Sequence, residues 1–221
     1  SASELLAKLR EREGKQQEEL AVIASIQGLR PPKNWDEDEG IKTGAADLAR
    51  YISDHGSAES LFDCVVVDEA HYLRNPDSQT HKLAHLIRPV ATNVVLLSAT
   101  PIQLRSDDLF HLLNIIDNEN FEFKPAFDGV LEANKPLVSL ASKLRKGDCT
   151  VPEFVELVDR CLANTMLSDN CQLQDLRQNP PSQEELSSSD PASRIRLANR
   201  IERINLLARV ISRTRKRDVQ S

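Results

Sequence analysis

Glycine and aromatic residues are scarce in this chain of 221 residues: seven glycines, six phenylalanines, two tyrosines and one tryptophan. So few glycines leave little room for tight turns, which points to a helix-rich protein. The four cysteines, Cys64, Cys149, Cys161 and Cys171, are scattered and form no C-x-x-C pair. That argues against a zinc ribbon or a disulfide framework and fits a reducing cytoplasm. No apolar run approaches membrane-spanning length, and "SASELLAKLREREG" at the start is a polar amphipathic helix rather than a signal peptide. A membrane partner is therefore not expected. Nor is there an excess of positive charge: 28 Lys and Arg face 34 Asp and Glu, for a net charge of −6. A uniformly basic, nucleic-acid-coating surface is disfavoured, while a local basic patch stays possible. There is no internal repeat.

What is present suffices for one sizeable core with a helical annex. Ser3–Glu13 reads as a helix and "ELAVIAS" (Glu19–Ser25) as a short strand. "RPPKNWDEDEG" (Arg30–Gly40) is a loop, and its Trp35 has no assignable role. Gly44–Gly56 is a helix with Leu48, Tyr51 and Ile52 on one face. "LFDCVVVD" lacks alternation, as expected of a strand buried on both faces of a parallel sheet. A helix over Ser78–Arg88, capped by Ser78 with Leu83, Ala84 and Ile87 inward, and a second buried strand, "NVVLLSAT" (Asn93–Thr100), complete one βαβ unit. Ser106–Asp117 is a helix with Ser106 as its N-cap and two acids in the first turn. From Lys124 onward no strand is evident. Helices start at Thr150–Pro152 and at Asp190–Pro191, and Asn179–Pro191 between them has the composition of a mobile linker. The expected fold class is thus α/β, with a mostly helical C-terminal half.

Asp68 and Glu69 stand where the first buried strand ends, the rim at which open α/β sheets bind ligands. Two adjacent carboxylates there are costly without a cation or a functional demand. Nucleotide hydrolysis supplies both, since one acid can hold Mg²⁺ and the next can activate the attacking water. A lone Asp-Glu would more simply be a solvated strand end. The tetrapeptide here is "DEAH", which arises by chance in about one in a thousand chains of this length. One βαβ unit later the second strand ends in "SATP" (Ser98–Pro101). By itself that is a loop start with a helix cap, but beside DEAH its hydroxyls can bond to the first motif.

Together "VVVDEAHYLRN" and "VVLLSATPIQLRSDDLFHLLNIID" resemble motifs II and III of the superfamily 2 helicase-like ATPases. The similarity is greatest to Swi/Snf-type double-stranded DNA translocases of the bacterial RNA-polymerase-associated branch, although many Swi/Snf members have SGTP for SATP. "VIASIQGLR" (Val22–Arg30) resembles motif Ib, and "LLARVISRTRKRDV" (Leu206–Val219) resembles the basic signature at the end of lobe 1. The resemblance implies a partial RecA-like (P-loop NTPase) lobe 1 over residues 1–123, a helical insertion over 124–190, and a helix with a basic segment leading to lobe 2 over 191–221. It further implies ATP and Mg²⁺ as ligands and double-stranded DNA as partner. By the same resemblance Asp68 positions Mg²⁺, Glu69 is the general base, and His71, Ser98 and Thr100 couple hydrolysis to movement. Ser25, Gln27 and Arg30 approach DNA phosphates, joined by Arg213, Arg215 and Lys216 of the basic segment.

One departure from the family pattern is decisive for activity. No G-x-x-x-x-G-K-[ST] occurs, and Gly14–Lys15, the one Gly-Lys pair, has neither a glycine loop before it nor Ser or Thr after it. The backbone nest and lysine that cradle phosphates are missing, as are the adenine-binding motif and the second lobe. The expectation is a fragment of a longer motor, inactive alone, with the P-loop segment and lobe 2 as its partners. Its "VVLLS" strand would then keep an unsatisfied edge and uncovered apolar side chains. The alternative is a non-catalytic binding module descended from such a lobe. His81 and His85 have zinc-like i, i+4 spacing, but without an adjacent Glu a solvated helix face is expected. The bases between Arg194 and Arg217 read equally as a solvated helix with a basic tail or as a phosphate-contacting patch. The Leu197, Ile201, Ile204, Leu207, Ile211 stripe reads as core packing.

Overall fold

The computed structural model describes residues 1–12, 19–55, 60–98, 106–187 and 191–211. These fall into two compact units, Ser1–Glu122 and Phe123–Ser221.

The first unit opens with α1 (Ala2–Arg12), whose Leu5, Leu6 and Leu9 are buried in one cluster with Leu48, Tyr51 and Ile52 of α3 (Gly44–His55). The helices approach so closely that a Cβ on Gly44 would meet the Ser3 side chain and, at 3.2 Å, its backbone nitrogen, so a larger residue there would force a shift. Between them a short helix, α2 (Ile26–Leu29), follows an irregular stretch. The strand expected over Glu19–Ser25 does not form. Val22 and Ile23 are exposed, and β1 (Phe62–Val67) has only β2 (Ala91–Leu96) as a ladder partner among the described residues. An apolar segment without a ladder partner has no reason to hold strand geometry. Leu20–Ala24 instead line a cleft of about 720 Å³ whose other side includes β1.

β1 and β2 pair in parallel, with Val65 opposite Val94 and Val67 opposite Leu96. The link between them holds a 3₁₀ turn (Ala70–Leu73), α4 (Gln79–Ile87) and a second 3₁₀ turn (Arg88–Val90). Ser78 caps α4 as expected, its hydroxyl accepting the His81 N–H at 3.1 Å. Leu83 is buried, while Ala84 and Ile87 are half-buried. The strands differ from expectation in burial. One face is covered, where Val67 and Leu96 pack with Ala84, Leu112 and Ile115 of the flanking helices. On the other, Val66, Val95 and Leu97 are 57%, 41% and 48% exposed, and Cys64 is exposed too. A strand apolar on both faces needs a layer on each side, and the described residues provide one. The uncovered apolar side chains expected of "VVLLS" are present at Val95 and Leu97. Ser106 is the first residue of α5 (Ser106–Ile116).

The second unit is wholly helical among its described residues, in keeping with the absence of strand signals. α6 (Lys124–Lys146) runs for 23 residues and ends at Gly147, whose φ of 79° is the left-handed conformation glycine tolerates. Pro136 inside α6 forfeits one backbone hydrogen bond, yet Leu137, Leu140 and Leu144 beyond it are buried and hold the helix in the core. α7 (Val151–Leu162) starts at a capping box between Thr150 and Glu153, with Pro152 in its first turn. α8 (Cys171–Gln178) is capped by Asn170. Asn179–Pro191 is not simply a linker. It contains α9 (Gln183–Leu186), with its own capping box, and Leu186 is fully buried in the unit's core. A single apolar residue there outweighs the polar composition around it. α10 (Pro191–Ile204) delivers Ala198, Ile201 and Ile204 to the same core, and the expected stripe continues at Leu207. The helix ends earlier than expected because Asn134 of α6 takes the Leu206 N–H with its side-chain oxygen at 3.0 Å.

Candidate functional site

The acids of DEAH sit at the C-terminal end of β1, and the backbone there departs from strand geometry at once. Glu69 has φ 52° and ψ 43°, the left-handed region that a non-glycine residue occupies at a cost. The turn is held from both sides. Asp68 Oδ1 accepts the Glu69 N–H at 2.8 Å. The Ala70 N–H then crosses to Leu97 O at 2.8 Å, and Leu97 N–H returns to Val67 O at 2.8 Å. The end of β1 and the end of β2 are thereby stitched together, so DEAH and Ser98, the residue after Leu97, lie at the same sheet end. Ala70 and Leu73 are buried with Leu112 and Ile115, which anchors the turn from beneath.

This anchoring leaves Asp68 and Glu69 exposed and His71 half-buried. His71 Nδ1 comes within 3.0 Å of Glu69 Oε2. The contact is of ion-pair length without the alignment of a hydrogen bond, and this ring nitrogen has no other partner among the described residues. The His71 ring also lies 4.2 Å, centroid to centroid, from that of Tyr72. The arrangement offers a hard oxygen donor at Asp68 and, next to it, a solvent-facing carboxylate with an imidazole beside it. Such a donor suits Mg²⁺, which takes one or two protein carboxylates and fills its shell with water and phosphate oxygens. Among the described residues no group of three or more His, Cys, Asp or Glu side chains is arranged to hold a metal ion, so any cation at Asp68 would take most of its ligands from water or a bound partner.

The other sequence-picked residues are distributed unevenly. Ser25 and Arg30 flank α2 and Gln27 lies within it, all three exposed. Ile26 of that helix packs against the cluster containing Ala70 and Leu73, so α2 shares its apolar footing with the DEAH turn. Thr100, Arg213, Arg215 and Lys216 lie outside the described residues, as do Gly14 and Lys15. On α10 the basic residues are less available than their count suggests. Arg194 is buried and donates to Ser187 O at 2.7 Å, and Arg200 pairs with Asp175 at 2.8 Å.

Two features escaped sequence reasoning. The left-handed conformation of Glu69 has no residue signal, since glutamate is not a residue that favours it. His81 is not on a solvated face: it is 6% exposed, and its Nδ1 donates to Leu73 O at 2.6 Å. Leu73 closes the turn that begins after Glu69.

A profile of the SNF2-related domain matches residues 7–188. The chain is 30% identical over 120 residues to the RNA polymerase-associated protein RapA of Pseudomonas fluorescens, covering 51% of this chain and 13% of that protein. To the RapA of Haemophilus influenzae strain Rd it is 34% identical over 86 residues, 38% of this chain and 9% of that protein. The chain thus spans about an eighth or less of the length of these relatives. No solved structure matches. Among the described residues no helix is long and apolar enough to cross a membrane. With a match that covers most of its length, the chain belongs to the SNF2-related domain family.

Proposed function

We propose that the chain is part of lobe 1 of an ATP-hydrolysing motor that translocates on double-stranded DNA, and that it carries half of the hydrolytic site. The observation that carries this is the backbone at Glu69, a carboxylate forced into the left-handed region at the end of a parallel strand and stitched to the end of its neighbour. Strain of this kind persists where the surroundings over-determine it, and it clusters at functional sites.

In the proposed mechanism Asp68 orients the water shell of a Mg²⁺ ion, which when bound supplies charge neutralisation for the β- and γ-phosphates. Glu69 takes the proton of the attacking water, which its exposure permits. His71, beside Glu69, senses whether the carboxylate is engaged. Ala70 carries that information to the Leu97–Ser98 end of β2 through its backbone bond, and Thr100 takes part in the same coupling. Ser25, Gln27 and Arg30 contact DNA phosphates from α2, with Arg213, Arg215 and Lys216 as further contacts.

The phosphate loop is not among these 221 residues, so another segment must supply it, along with lobe 2. The bare sheet face over Val66, Val95 and Leu97 supports this, because a further layer of the lobe would cover it. RNA polymerase is an additional partner raised by the names of the relatives, and the cytoplasm is the compartment that fits such partners. The test is DNA-stimulated ATP hydrolysis by the protein expressed with its flanking coding sequence. Glu69→Gln should abolish hydrolysis while nucleotide binding persists. Hydrolysis indifferent to Glu69→Gln would remove Glu69 from the role of base, and no nucleotide binding at all would favour the non-catalytic module instead.

A further inference from the structure

Three histidines from two helices stack behind the DEAH turn. The His81 and His85 rings are 4.6 Å apart, one turn along α4, and His111 of α5 meets His81 edge-on at 6.1 Å. A carbonyl only accepts, so the 2.6 Å contact to Leu73 O fixes the proton on His81 Nδ1. The bond is buried, and Leu73 is the last residue of the 3₁₀ turn that holds His71 and follows Glu69. We infer that His81 is a positioning residue for the DEAH turn, and that protonation of the His81–His85 pair displaces that turn. The inference rests on the proposed role of Glu69 for its functional meaning, but its geometry stands apart from hydrolysis.

The surroundings favour uncharged His81 and His85. Burial pushes His81 below its ordinary 6.5, and the nearby His111 adds to that, while the bond to Leu73 and the Asp77 carboxylate pull it back up. Burial and then His81 lower His85 in the same way. The titratable and charged groups on the neighbouring elements are Asp77 in the loop before α4, His71 in the 3₁₀ turn after Glu69, Arg88 in the 3₁₀ turn after α4, and Asp107 and Asp108 in the first turn of α5. Helices α2 and α3, which also touch α4, add none that acts on the ring. The sign follows from the lowered values. The folded state resists the proton, so the stabilisation is complete above pH 6.5 and is lost as pH falls below it toward the depressed folded value. A proton on His81 puts a charge where burial disfavours it, and a second proton on His85 places a like charge in a ring 4.6 Å away. Repulsion between the charged rings moves them apart, and the Leu73 carbonyl, which stays bonded to the His81 Nδ1–H, is carried with the His81 ring.

The test is a pH titration of the isotope-labelled chain by NMR, following the histidine rings and the amides of Ala70, Tyr72 and Arg74. A His71→Gln background removes the titration of the ring inside the turn. His81 should titrate below 6.5, and the three amides should shift with the His81 midpoint. His81→Gln, which can still donate to Leu73 O, should keep the amides at their high-pH positions and flatten the titration. His81→Leu, with no donor, should displace them at every pH. Should His81→Leu fail to fold, the His71→Gln titration alone decides. Amides that ignore the His81 midpoint would overturn the inference. So would tight one-to-one Zn²⁺ binding that silences all three rings, which would make the stack a metal site.

Discussion

Glu69 is held in a conformation that costs an ordinary residue about 1–2 kcal/mol. The hydrogen bonds from Glu69 N to Asp68 Oδ1 and from Ala70 N to Leu97 O leave the backbone little alternative. Glycine occupies the left-handed region without a Cβ penalty. Glu69→Gly should therefore raise the stability of the first unit by about 1 kcal/mol, read as a higher urea midpoint, while removing the proposed base. A lower midpoint would mean that the carboxylate and its His71 contact matter more to folding than the strain. Stability gained by erasing a residue is the mark of a position kept for another purpose. The identity of Asp68, Glu69 and His71 as candidates was legible in the sequence, because the chemistry needs those residue types behind a strand. The strain at Glu69 was not, since it arises from bonds to Leu97, 28 residues away. The burial of His81 was hidden for a similar reason: its partner is a backbone carbonyl, which leaves no trace in residue type.

At the scale of elements, the helix starts were the most legible features, because caps are local chemistry. Ser78, Thr150 and Pro152 stand where their residue types predict. The capping box at α7 is also an electrostatic device. The Glu153 carboxyl is held at about 2, first by the Thr150 backbone N–H, then by Lys143 and the Thr150 hydroxyl. Thr150→Ala should lower the stability of the helical unit by about 1 kcal/mol in urea unfolding followed by circular dichroism. Because the Glu153 value is depressed, its contribution is present above its ordinary 4.5 and is lost as pH falls toward about 2. Glu153→Gln should flatten that part of the acid limb, since glutamine keeps the reciprocal cap bond without the charge. An unchanged acid limb would mean that other carboxylates dominate it. The strands were less legible than the helices. "FDCVVV" and "NVVLL" announce strands, but only the tertiary layers decide how many faces are covered. "ELAVIAS" has strand composition and no ladder partner, and α9 owes its place to the buried Leu186.

For the whole molecule, the first unit packs α1 against α3 in one apolar cluster and the turn after Glu69 against α5 in another, while the second unit has a cluster running from α6 to α10. The α/β class and the helical second half follow from where β-branched runs occur and where they stop. What the sequence could not disclose is how much of the sheet these residues build, because that depends on partners for β1 and β2. The bare face at Val66, Val95 and Leu97 gives this a measurable form. Exposed apolar sheet surface promotes association, so the chain should self-associate in sedimentation velocity at high concentration. The double change Val66→Lys and Val95→Glu, which puts opposite charges on directly paired positions, should suppress this without lowering stability in urea by more than about 0.5 kcal/mol. A monomer at every concentration would show that the face is not adhesive.

The central claim is that Asp68 and Glu69 form half of an ATP-hydrolysing site whose phosphate cradle lies outside these residues. It is tested most directly by one measurement: DNA-stimulated ATP turnover by residues 1–221 alone and by the protein with its flanking coding sequence, each with and without Glu69→Gln. Turnover by the longer protein that falls at least about a hundredfold with Glu69→Gln, beside none above background from residues 1–221, is the predicted result. Turnover by 1–221 alone that Glu69→Gln abolishes, or turnover by the longer protein that Glu69→Gln leaves intact, would contradict it.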